Sequence, residues 1–63
     1  MKVLIEINCD SISELTSHLN EMFKQCKQLC KKSKLDPFND EFPVDTILED
    51  DNCYGSHELK VVE

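Results

Sequence analysis

The residues best equipped for chemistry in this 63-residue chain are four cysteines and two histidines. Cys26 and Cys30 are four apart, which on a helix sets them one turn apart on one side, close enough for two thiolates to reach one metal. Cys9, Cys53, His18 and His57 supply the further nitrogen and sulfur donors from which a tetrahedral zinc site could be completed. The spacing argues against it. It is C-x3-C inside a helical pattern and not the C-x2-C knuckle of a structural zinc site, and Cys26 falls among apolar residues, where a free cysteine behaves as a small hydrophobe. The sequence therefore predicts reduced, packed thiols and no cofactor; a metal- or thiol-dependent module using Cys26 and Cys30 with Cys9 or Cys53 is the alternative.

A thiol enzyme needs a cysteine of lowered pKa beside a base. Cys53, four residues before His57, is the one candidate with local support, but Asp50 and Asp51 would push a thiolate there in the wrong direction. No phosphate-cradling glycine loop, H-E-x-x-H or G-x-S-x-G is present. Asp36, Asn39, Asp40, Asp45, Glu49 and Asp50 do not take the spacing of a calcium-binding loop. No catalytic constellation is visible, and the expectation is a protein that is not an enzyme. His18, one position before Leu19, and His57, opening a strand, read as boundary residues and not as ligands.

The charges constrain partners. The net charge is −6 with a pI near 4.7. Five lysines and no acid lie from Lys24 to Lys34, whereas nine acids accompany Lys60 alone from Asp36 onward. The two segments should attract, with the acids lying near the basic end of the helix. A basic helix end could meet phosphates, but the chain is acidic overall and has no arginine, the residue that reads guanine bidentately. Nucleic acid is disfavoured. An acidic surface mimicking DNA would suit the net charge, yet nothing in the sequence gives it a geometry.

One element must position all of these groups. From Ser11 to about Ser33, Ile12, Leu15, Leu19, Met22, Cys26 and Leu29 recur at spacings of three and four, the stripe of an amphipathic helix, widened by Phe23 and Cys30. Ser11 and Glu14 form an S-x-x-E capping pattern. Asp10 and Glu14 complement the dipole at the start, and Lys31, Lys32 and Lys34 at the end. Asp36-Pro37 is expected to close the helix. Leu19 stands at the centre of the stripe and is expected to be core.

Before the helix, Met1 to Asn8 alternates, with Met1, Val3, Ile5 and Ile7 on one face and Lys2, Leu4, Glu6 and Asn8 on the other, a strand by period and by its Val and Ile content. Near the end, His57 to Val62 alternates again, with His57, Leu59 and Val61 on one face. Between them Val44 to Leu48 reads as a short strand or a turn of helix, and Asp50 to Ser56 as a turn holding the only glycine. A 23-residue helix is about 35 Å long against about 23 Å for a seven-residue strand, so it should overhang the sheet. Leu35, Phe38, Phe42 and Val44 are expected to pack beneath the overhang.

The expected architecture is α+β: one single small domain over residues 1–63, with one long amphipathic helix packed on one face of a two- or three-stranded sheet in the order β-α-(β)-β. The opening MKVLIEINCD is broken by Glu6 and does not read as a signal peptide. No run approaches the roughly 18 apolar residues of a membrane span, so the expected location is cytoplasmic. A domain this small buries only about 60% of its unfolded surface, which leaves it marginal and in want of support. The expected function is a non-catalytic protein–protein interaction or adaptor module, acting as a homodimer or with a larger protein. Leu4 and Val62, on the strand faces turned away from the helix, and Tyr54, beside the turn, are the expected interface residues.

Overall fold

The computed structural model describes all residues from Met1 to Glu63. The elements are β1 (Lys2–Asn8), α1 (Ile12–Ser33), β2 (Ile47–Asn52) and β3 (Gly55–Val62), and the three strands form one antiparallel sheet in the order β1-β3-β2. The architecture is thus α+β, one long helix against a three-stranded sheet.

The start of α1 follows from its cap. The Ser11 hydroxyl accepts the Glu14 amide at 3.1 Å, satisfying one amide that the first turn leaves unpaired, and the Glu14 carboxylate reaches back to accept the amide of Asp10, just before the cap, at 2.8 Å. The end falls where expected but is made by a different device. The helix stops at Ser33, ahead of Asp36-Pro37, because Lys34 turns left-handed (φ 54°, ψ 44°) and returns its amide to the carbonyls of Cys30 and Lys31. Leu35 then donates to the Cys30 carbonyl at 2.9 Å, completing a C-terminal cap built without glycine.

β3 is the central strand and carries the core. His57, Leu59 and Val61 point toward α1 and are buried, and opposite them on β1 stand Ile7, Ile5 and Val3. Met22 enters from the helix, with Cys26, Phe42 and Leu48 packed around it. The third strand is displaced from the expected Val44–Leu48 to Ile47–Asn52. Asp50, Asp51 and Asn52 belong to the strand and not to the turn, which shrinks to Cys53-Tyr54. Acids are poor strand formers, so the composition suggests a loop; pairing along the whole of β3 overrides it. Gly55 opens β3 at φ 115°, and a Cβ there would lie 2.1 Å from the Asn8 carbonyl oxygen, so the first and last strands meet where only glycine fits.

The packing expected beneath the overhang is met only in part. Phe38 is 93% exposed and Val44 is exposed, so only Leu35 and Phe42 lie partly buried beneath the end of the helix. The acidic segment places Asp36 and Asp40 around the same cavity as Lys27 and Lys31 without ion pairing. The only salt bridge joins the Met1 ammonium to Glu41 at 2.8 Å.

Candidate functional site

The face that α1 buries is not the centre of its hydrophobic stripe. At about 100° per residue from Met22, His18, Gln25 and Leu29 fall about 20–60° to one side, while Leu19, Ile12, Cys30 and Phe23 fall about 60–100° to the other. The first side meets the hairpin: the Gln25 amide donates to the Glu49 carbonyl on β2 at 3.1 Å, and a His18 ring nitrogen meets the Tyr54 carbonyl at 3.1 Å. The second side looks over β1, since Phe23 and Cys30 line a cavity together with Met1. The helix is rolled toward the two histidines.

His18 and His57, expected at the boundary, are 2% and 3% exposed and form the centre of the interior. Their Nδ1 atoms are 2.8 Å apart and their rings meet edge-on, with centroids 5.0 Å apart. His57 Nε2 is 2.8 Å from Gln25 Oε1. A chain of four hydrogen bonds therefore runs from the Tyr54 carbonyl through His18, His57 and Gln25 to the Glu49 carbonyl. Both ends are carbonyls, which only accept. Two neutral imidazoles bring one N–H each, and the amide of Gln25 donates across one gap only, whichever way it is turned, so three protons serve four gaps. Asp50 is the cross-strand neighbour of His57, whereas Glu6, Glu49, Asp51 and Glu58 stand on the opposite face of the sheet. The signal was present in the sequence, since His57 is in phase with Leu59 and Val61 and His18 lies one turn from Met22.

The cysteines separate into two groups. Cys26 and Cys30 lie at the end of the sheet where β1 begins, around the cavity that includes Met1, whereas Cys9 follows the far end of β1 beside Gly55, and Cys53 sits in the adjacent hairpin turn. The fold does not bring Cys9 or Cys53 to Cys26 and Cys30, and no three His, Cys, Asp or Glu side chains gather as a metal-binding group. Burial, followed by the neighbouring Cys30, pushes the Cys26 thiol above its usual range, so it favours the protonated form. Cys53 is exposed, and His57 cannot serve it as a base because both ring nitrogens are engaged with His18 and Gln25.

The roll of the helix leaves an apolar flank open. Ile12, Leu15, Leu19 and Phe23 are exposed on α1, and Val3 and Ile5, on the helix side of β1, are exposed below them. The flank runs on into a cavity of about 480 Å³ lined by Met1, Phe23, Cys26, Cys30, Leu35 and Phe42. On the opposite face of the sheet, Leu4 is exposed, and Val62, opposite Lys2, is half-buried. Tyr54 is exposed at the hairpin turn, at the other end of the sheet from Val62, so it does not join Leu4 and Val62 in one patch.

Fold and surface together define a small antiparallel α+β domain with an uncovered helix flank beside an edge strand. No family model, curated protein or solved structure matches the chain. No helix is long and apolar enough to cross a membrane.

Proposed function

We propose that this chain is a non-catalytic protein–protein interaction module, acting with a second copy of itself or with a larger protein, and that its working surface is the open side of β1 and α1. The observation that carries the reading is the contiguous exposure of Val3, Ile5, Ile12, Leu15, Leu19 and Phe23 beside a core of only three buried apolar side chains. Scattered exposed apolar residues are ordinary; a contiguous set rimmed by charge marks a binding surface. Lys27 borders this set, its ammonium 5.2 Å from the centre of the Phe23 ring, so the set meets a charged rim there, as at protein interfaces. Of the groups that could do chemistry, His18 and His57 hold each other, and the Cys26 thiol favours its protonated form.

Phe23→Asp tests the reading. A residue kept for binding tolerates a charge in the free domain, so the variant should melt within a few degrees of the wild type. It should also lose the assembly that light scattering detects above the 7.3 kDa of one chain. A variant that unfolds would make the flank part of the core, and an assembly indifferent to the charge would place the working surface elsewhere.

A further inference from the structure

We infer that the occupant of this surface is a second copy of the chain, joined by antiparallel pairing of β1 with β1 about a two-fold axis at Leu4; the inference rests on the interaction reading above and fixes its partner and register. The sheet has two free edges, β1 and β2, and an unpaired edge is a template for another strand. Their charges decide between them. β2 reads Ile-Leu-Glu-Asp-Asp-Asn, and antiparallel pairing with itself about Asp50 sets Glu49 against Asp51 twice, while pairing about Glu49 sets Glu49 against itself and acids against Leu48 and Ile47. That edge repels its own copy.

β1 reads Lys-Val-Leu-Ile-Glu-Ile-Asn. Paired about Leu4, it places Lys2 opposite the second copy's Glu6 and Glu6 opposite the second copy's Lys2. Leu4 meets Leu4, Val3 meets Ile5, and every residue meets one from the same face of the sheet. An axis at Val3 or Ile5 leaves Lys2 and Glu6 opposite uncharged residues or nothing. A second feature points to the same register. On the face away from the helix, Glu49, Glu58 and Glu6 stand directly opposite one another across all three strands, a row of like charges that costs stability. The dimer continues this row into the second copy's Lys2, which sets an ammonium beside its end.

The helix side closes in the same operation. α1 lies over the central strand, whose inward residues it buries. In the dimer the two β3 strands stand three strand spacings apart, about 14 Å, and a helix with its side chains is about 10–12 Å across. The flanks carrying Leu19 and Phe23 therefore approach each other over a floor made of Val3 and Ile5 from both copies. A two-fold of this kind closes on itself, leaving a six-stranded sheet whose outer edges are both the acid-bearing β2.

Lys2→Glu and Glu6→Lys test the register, because both residues are exposed and neither supports the core. Sedimentation equilibrium should show a wild-type dimer and, for each variant alone, self-association weakened roughly ten- to a hundredfold by two repulsive cross-strand pairs per dimer. An equimolar mixture of the two variants should recover a one-to-one heterodimer, since every Lys2–Glu6 position then holds opposite charges; circular dichroism verifies that each variant remains folded. A dimer that ignores both changes overturns the β1 pairing and leaves the interaction reading standing. A wild type that stays monomeric at hundreds of micromolar overturns the pairing outright and confines the interaction reading to a larger protein as partner.

Discussion

At the scale of single residues, two histidines replace the leucine that hydropathy would have chosen for the centre of the core. Leu19 stands mid-stripe yet is 49% exposed, whereas His18 beside it is buried with both ring nitrogens partnered. His18→Leu removes that ring and leaves His57 Nδ1 and the Tyr54 carbonyl unpaired, costing about 1–3 kcal/mol for the buried donor. Leu19→Ala surrenders only a half-exposed side chain, about 1 kcal/mol. Thermal melts of dilute protein should rank the two in that order; a larger loss at Leu19 would contradict the assigned helix face. The ranking was hidden in the sequence because a histidine scores as polar wherever it stands, and its burial depends on partners contributed by the hairpin turn and β3. Cys26 gives a prediction in pH. Its folded thiol holds the proton more tightly than the unfolded chain does, so above about pH 8.5 the unfolded state binds fewer protons and stability falls as pH rises. Cys26→Ala should flatten that part of the stability profile, and an identical alkaline slope in the variant would assign the loss to other groups.

At the scale of elements, local rules placed β1, the cap of α1 and the alternation of β3, because each is written in consecutive residues: Val3, Ile5 and Ile7; Ser11 and Glu14; Leu59 and Val61. The elements that long-range pairing decides were harder to read. β2 consists largely of acids and an amide, and nothing local distinguishes Glu49-Asp50-Asp51-Asn52 from a loop; it is a strand because β3 offers it a full ladder. Likewise α1 ends at the left-handed Lys34, a conformation that no sequence signal demanded, although the proline two residues after Leu35 was available. The hairpin gives the prediction for this scale. Gly55→Ala drives a methyl group into the Asn8 carbonyl oxygen and forces a side chain into positive φ, costing about 1–3 kcal/mol. Chemical denaturation should show the loss, and a variant as stable as the wild type would mean that β1 and the turn separate more easily than their register implies.

At the scale of the whole molecule, a chain of this length gathers only a small interior, and the rest of its apolar surface is organised on one side. Rolling α1 toward the hairpin buries the histidine pair and, by the same rotation, uncovers Leu19 and Phe23 above β1. The edge strand below them is apolar, free of proline and self-complementary in charge, whereas the other edge is guarded by acids. The sequence already indicated Leu4 as an exposed residue on the outer face of β1; what it could not show is that β1 lies at an edge, since that follows from β3 inserting between the other two strands.

Amide hydrogen exchange, read residue by residue at several protein concentrations, tests this arrangement most directly. Amides of β1 that point away from β3 should gain protection as concentration rises, while those on the outer side of β2 exchange quickly throughout. Equal and concentration-independent exchange at the two edges would contradict the account.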